Sequence, residues 1–170
     1  MRPDTGKVAS ANNAKYIVVL NVPRENIMMS RQFDPEQFML VAGDAIIAAD
    51  ADGSIVLWNP AAERIFGYTE NEALGRSLDL IIPERLRDRH WAGYRQVMKT
   101  GQTRYGTEVL HVPAVHKDGR TLSIAFTVAL MYTSDKQSRI IAAILRDETL
   151  RWKEERALRQ RLAEFEASND

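Results

Sequence analysis

The chain has 170 residues, 45% hydrophobic and 27% charged, with 23 basic and 23 acidic side chains and a formal net charge of +0. That length suits about one domain with a real core, and the even balance of charge gives no electrostatic grip on nucleic acid or anionic lipid. Cysteine is absent, which excludes a disulfide framework, a Cys-ligated zinc and a covalently attached c-type haem.

The first residues, Met1 to Asn13, are small and polar and carry no apolar stretch of signal-peptide type, so the expected location is cytoplasmic and the expected state disordered. Tyr16–Val22 (YIVVLNV) has strand composition but stands alone before Pro23. It is open to three roles: packing on the domain, pairing with a second chain, or moving freely. No apolar run approaches the ~20 residues needed to cross a bilayer. Asp34-Pro35 caps a short predicted helix, PEQFMLVA.

The most informative stretch follows, Asp50–Tyr68 (DADGSIVLWNPAAERIFGY). Ala45–Ala49 and Ser54–Trp58 read as a hairpin around the Asp-Ala-Asp-Gly turn. Asn59 then caps a helix that has Pro60 at its first position and Ala61, Ala62, Ile65 and Phe66 on its apolar face. Thr69 caps a further turn, ENEAL, which Gly75 stops; Leu78, Leu80, Ile81 and Ile82 form an apolar knot before Pro83. Glu84–Lys99 is the longest internal helix candidate, with Leu86, His90, Tyr94, Val97 and Met98 at helical spacing, and Thr100-Gly101 ends it. Three strands are predicted next: Thr107–His116, Thr121–Tyr132 and Ile140–Leu145. Asp147-Glu148-Thr149 then leads into a charged helix, on which Leu150, Ala157, Leu158, Leu162 and Phe165 keep roughly a heptad stripe. Asp147 or Thr149 is the expected cap. The expected layout is an N-terminal extension over residues 1–33, a folded domain over 34–149 and a coiled-coil-like linker helix over 150–170.

The acidic turn with its glycine, the following strand, Asn59, Ala61-Ala62-Glu63 and Phe66-Gly67-Tyr68 resemble the PAS domain family. The likeness continues through Thr69–Gly75, Ile82-Pro83-Glu84, Thr100-Gly101 and Lys117-Asp118-Gly119, covering roughly Phe38 to Arg151. Each piece alone is weak, and the order and spacing make the set specific. It implies an α+β fold, an antiparallel sheet of about five strands with short helices on one face, and a sensory or interaction module rather than an enzyme. The Asp-x-Thr triplet resembles the junction where PAS domains pass to a signalling helix, so Asp147 and Thr149 are the implied relay.

A PAS ligand site lies between the inner face of the sheet and the inserted helices. The resemblance places Ile46, Leu57, Ile65, Phe66, Leu78, Ile82, Tyr94, Met98, Val109, Leu122, Ile124, Phe126 and Ile144 around it. An apolar lining suits a small molecule, and it suits a filled core equally well. His90 sits where haem-binding PAS oxygen sensors carry their proximal histidine, so haem b with His90 on the iron is the leading implied cofactor. Met98 or a diatomic gas would take the opposite side. In many PAS domains without haem, a histidine at this place only packs. The chain also departs from the oxygen sensors: their ligand-stabilising arginine falls on Leu110, which counts against oxygen sensing specifically and leaves redox or carbon monoxide sensing open. Flavin is the second implied cofactor. Without cysteine, a cysteinyl-flavin adduct and a thioester chromophore are both excluded.

Trp58 and Asn59 are further pocket candidates, although tryptophan in a strand is usually core and asparagine here is usually a cap. Arg104 is a candidate partner for an acidic ligand group such as a haem propionate. His111 and His116 have an odd spacing, which in a regular strand puts them on opposite faces, unable to share one ion. No phosphate loop, nucleophile elbow or HExxH spacing occurs. The expected function is a cytoplasmic sensory domain working as a homodimer and passing its signal to an output domain, such as a histidine kinase or cyclase, in a parent protein. The alternatives are a ligand-free interaction or dimerisation module and a PAS domain that binds flavin or a metabolite.

Overall fold

The structure, a computed structural model, describes residues 34–102, 108–133 and 138–168. The strands are β1 (Ala45–Ala49), β2 (Ile55–Trp58), β3 (Leu110–Val115), β4 (Thr121–Tyr132) and β5 (Arg139–Asp147). They form one antiparallel sheet in the order β2-β1-β5-β4-β3. Helix α1 (Pro35–Val41) precedes the sheet; α2 (Pro60–Phe66), α3 (Glu70–Ala73), a 3-10 turn at Leu78–Leu80 and α4 (Glu84–Thr100) lie between β2 and β3; α5 (Thr149–Ala167) follows β5. This is the expected α+β architecture. The segment Tyr16–Val22 lies outside the described residues.

Local chemistry sets the early elements. The Asp50 carboxylate accepts from the N–H groups of Asp52 and Ser54 at 3.0 and 2.9 Å, closing the hairpin turn. The Asn59 side chain caps α2, and Thr69 with Glu72 forms a reciprocal capping box on α3. The Glu72 carboxyl is also bonded by Lys117 and the Thr69 N–H, which hold its pKa down at about 2.

Strand alternation sorts the sheet into two faces. Leu122, Ile124, Phe126, Val128 and Leu130 of β4 share a face with Leu110, Val112 and Ala114 of β3 and with Ile141, Ala143 and Leu145 of β5. Ala45 and Ile47 of β1 continue that face. It packs against Phe66, Ala62, Ala73 and Ile81 from the inserted helices and turns. Burial across it is uneven. Near β1, β2 and α2 the side chains of Ala45, Ile47, Ile55, Trp58 and Phe66 are buried, with the Trp58 and Phe66 rings 5.5 Å apart. Toward β3 and the middle of β4 and β5, Leu110, Val112, Phe126, Val128, Ile141 and Ala143 are only half-buried.

Three expected wall residues are on the wrong face. Ile46 pairs with Ile144, and Leu57 with Ala48, one residue out of step with the inward Ile47, Trp58 and Leu145. A one-residue offset in a strand turns the side chain to the opposite side. Ile144 is accordingly 53% exposed. Val109 precedes β3 and is exposed as well. The last strand also runs longer than expected, from Arg139 to Asp147.

Candidate functional site

Helix α4 carries the residue of greatest chemical interest, and its anchors set where that residue points. In the first turn of the helix, the Arg87 guanidinium donates back to the carbonyls of Asp79 at 3.0 Å and Ile82 at 3.2 Å. One turn on, the Trp91 indole N–H donates to the Asp79 carboxylate at 2.8 Å. The Trp91 ring fills the space over Gly53, whose φ is +83° and where a Cβ would lie 2.2 Å from the ring. Only glycine fits there. Tyr94, buried, donates its hydroxyl to the Asp50 carbonyl at 2.5 Å. Burial and the nearby Asp50 and Asp52 push its phenol pKa well above the usual value. The first half of α4 is therefore fastened to the β1–β2 turn.

His90 lies within this cluster, its ring 4.9 Å from Trp91 and 5.7 Å from Tyr94. Its Nδ1 is buried and has no hydrogen-bond partner among the described residues. Burial lowers the imidazole pKa, against the opposing pull of the Asp79 carboxylate. At neutral pH the ring is uncharged and so keeps a lone pair, the form that ligates a metal. A buried ring nitrogen without a partner is uncommon and invites a functional explanation. Among the described residues no group of three or more His, Asp or Glu side chains is placed to hold a bare ion. A lone neutral imidazole would suit haem better, because the macrocycle brings its own nitrogens and would need only one ligand from His90.

The other predicted site residues are dispersed over the fold. Leu110, Leu122, Ile124 and Phe126 share the inner face of the sheet, and Ile82 packs against the same core. Met98 is half-buried in the last turn of α4, and its carbonyl accepts from Arg139, which also donates to the Lys99 carbonyl at 3.3 Å. Ile144 faces away from this region, and Arg104 lies outside the described residues. Trp58 and Asn59 belong to the filled core: the indole donates to the Tyr68 carbonyl at 3.0 Å, and Asn59 serves as a hub for α1, β1 and α2. His111 makes a 3.1 Å pair with Glu148. His116 lies beyond the strand, packed under Gly67 and 2.9 Å from the Asp118 carboxylate.

The predicted relay residues form a junction between sheet and exit helix. Asp147 accepts from the Thr149 N–H at 2.8 Å, the Thr149 hydroxyl accepts from the Ser123 N–H at 2.9 Å, and the Glu148 N–H donates to the Ser123 carbonyl at 2.8 Å. Glu148 rather than Asp147 or Thr149 occupies the cap position of α5 and makes no side-chain cap bond. Beyond this root α5 is exposed throughout, with Leu150, Leu158, Leu162 and Phe165 uncovered in the single chain. Two surface depressions lie apart from His90: one of about 230 Å³ on α5 around Trp152, and one of about 240 Å³ among α1, β2 and α2.

Sequence reasoning missed Arg139, Trp91 and Asp79, which hold α4 in place. Trp91 adjoins His90 in the chain, and its aromatic ring beside a helical histidine was the available signal. Arg139 gave none, because its partners are some forty residues away.

Comparison with known proteins agrees with this geometry. The profile of a family described as the PAS fold matches residues 28–147. An uncharacterised protein of Azorhizobium caulinodans is 36% identical over 121 residues, which is 71% of this chain and 16% of that protein. The sensor protein FixL of Bradyrhizobium diazoefficiens is 36% identical over 66 residues, 39% of this chain and 13% of the relative. The chain thus spans less than a fifth of either relative's length. Among solved structures, the crystal structure of the PAS domain of a protein from Colwellia psychrerythraea superposes with a TM-score of 0.57 at 22% identity, covering 67% of this chain and 93% of that one. No helix among the described residues is long and apolar enough to cross a membrane.

Proposed function

Because the chain belongs to the PAS family, whose profile covers residues 28–147, we propose that it is a sensory domain that holds haem through His90 and signals through α5. The observation that carries this reading is the buried Nδ1 of His90, unpartnered on an uncharged ring. The half-buried inner face formed by Leu110, Phe126 and Val128 gives apolar surface against which a flat ligand gains by burial. In this reading Leu122 and Ile124, on the same inner face, form its floor, and Ile82, Tyr94 and Met98 line it from the helical side. Haem, when bound, supplies an iron centre that changes charge or takes up a diatomic gas. The chain's own part is to present a neutral imidazole, to exclude water with apolar side chains and to keep α4 anchored at Asp79 and Asp50.

A sensor needs two states of different ligand affinity. In this proposal they differ in how α4 sits, and the difference leaves through β5 and the Asp147–Thr149 junction to α5. Two copies meeting along Leu158, Leu162 and Phe165 form the dimer, and an output domain such as a histidine kinase or cyclase lies beyond it in a longer protein. Leu110 at the place of the oxygen sensors' arginine counts against oxygen sensing and leaves redox or carbon monoxide sensing open.

The test is an absorbance spectrum of purified protein, followed by titration with hemin. A Soret band that disappears in His90→Ala supports the assignment. Flavin bands would identify a different cofactor. A colourless protein that does not take up hemin refutes haem and favours a ligand-free interaction module.

A further inference from the structure

Arg139 opens β5 immediately after the β4–β5 loop, yet its guanidinium reaches back to α4. It donates to the carbonyls of Met98 and Lys99, the second at 3.3 Å. It also lies against Gly101, where an added Cβ would be 3.3 Å from its Nη2, and 5.9 Å over the Tyr132 ring. The end of a helix carries a partial negative charge on its unpaired carbonyls, so a cation there is favourable. Both bonds leave from one guanidinium nitrogen, Nη1, whose N–H directions the planar group fixes, whereas a lysine ammonium on its flexible stem leaves them free.

The location gives this cap a consequence beyond stability. The first half of α4 is held to the β1–β2 turn by the Trp91 ring packed over Gly53 and by the Tyr94 bond to the Asp50 carbonyl. Among the described residues, Arg139 supplies the side-chain hydrogen bonds that join α4 to β5. From Arg139, β5 runs to Asp147 and the root of α5, paired with β4 along its whole length and with β1 over Ile141–Leu145. A strand held on both sides moves with its neighbours rather than bending locally. We propose that Arg139 is the latch that makes α4 and β5 move together, so that a displacement of the His90 helix reaches Thr149. Its use in signalling rests on the sensory reading above; the mechanical coupling belongs to the chain alone.

The test separates the two. Amide chemical shifts of the full chain are compared for Trp91→Phe in the native background and in Arg139→Ala. Trp91→Phe keeps a ring but removes the bond to Asp79, so it disturbs α4 far from β5. The latch predicts shift changes at Val97–Gly101, Ile140–Leu145 and Thr149 in the native background, and loss of those at Ile140–Leu145 and Thr149 without Arg139. Exchange of the Gly101 amide should also quicken about tenfold in Arg139→Ala, the effect of losing roughly one charged hydrogen bond. Arg146→Ala, which removes a β5 arginine paired with Asp44, should leave the transmission intact. Should Arg139→Ala fail to fold, Arg139→Lys takes its place and must weaken the shifts at Ile140–Leu145. Changes at β5 that are equal with and without Arg139, or absent in the native background, overturn the latch. A second arm adds hemin: shifts at α4 that persist in Arg139→Ala while those at Thr149 vanish support the coupling of this site to α5. Failure of hemin to bind refutes the haem reading, and the Trp91→Phe arm still decides the latch.

Discussion

Replacing Asn59 with alanine tests how the fold is held around its densest corner. Asn59 is 5% exposed and spends its whole side chain on backbone. Its Oδ1 accepts from the N–H groups of Ile46 at 2.9 Å and Ala62 at 3.0 Å, and its Nδ2 donates to the carbonyls of Met39 and Asp44, both at 3.2 Å. Alanine removes all of these. Loss of the cap on α2 costs about 1 kcal/mol. Leaving the Ile46 N–H and two carbonyls unpaired in a part-buried place adds about 2 kcal/mol. The expected loss is therefore about 3 kcal/mol, read as a lower urea midpoint at constant slope. Asn59→Asp separates the contributions, because it keeps the acceptors for Ile46 and Ala62 but loses the donors to Met39 and Asp44 and sets a charge beside two carbonyls. Asn59→Ala losing less than about 1 kcal/mol would show that the residue is a simple helix cap and that α1 and β1 are joined by other means.

Three further outcomes follow from the same geometry. Gly53→Ala should cost at least about 1 kcal/mol more than Gly119→Ala, since both have positive φ but only Gly53 has the Trp91 ring where a Cβ would go; equal urea midpoints would show that Trp91 moves aside freely. His90 has a lowered pKa, so in acid the unfolded chain takes up a proton that the folded chain resists. Stability is full above about pH 6.5 and falls as pH drops through that value toward the folded pKa; His90→Phe should shrink the difference in urea midpoint between pH 7.5 and 5.5, and an unchanged difference would contradict the buried neutral ring. Leu158→Lys with Leu162→Lys should halve the solution mass if the exposed stripe of α5 is a dimer seam, while the midpoint measured on the dilute monomer stays unchanged because neither side chain is buried in the single chain.

The parts of the fold that were readable in the sequence are those encoded by neighbours along the chain. Asp50, Asn59 and Thr69 with Glu72 announce turns and caps because their partners lie two to four residues away. Leu122, Ile124 and Phe126 alternate with Ser123 and Ala125, so the inner face of β4 was legible. Ile46 and Ile144 were misplaced because AIIAA and IIAAIL are apolar at every position. A run without alternation does not say which face turns inward. The site was legible only in part. His90 stood out by likeness to a family, but its surroundings depend on Asp79, Gly53 and Asp50 meeting α4. Arg139 to Met98, and His111 to Glu148, join residues some forty positions apart and left no local trace.

The exit helix shows why the ties at its root carry more weight than their number suggests. α5 has 19 residues, from Thr149 to Ala167, and is therefore about 28 Å long at ~1.5 Å per residue. Its described attachments to the domain are in the first turn and just before it: Thr149 and Glu148 on Ser123, and Glu148 on His111. A rod fixed only at one end magnifies motion there. A tilt of roughly 10° at Ser123 carries the far end through about 5 Å, close to one helical turn. In the proposed dimer, small changes in the β4–β5 ladder would then alter how Leu158, Leu162 and Phe165 meet a second copy. For the same reason the junction must be stiff. The Asp147 bond to the Thr149 N–H and the Thr149 bond to Ser123 fix the helix direction relative to the sheet, so a domain with both removed should fold normally while α5, left with the Glu148 ties to Ser123 and His111, follows the sheet less closely.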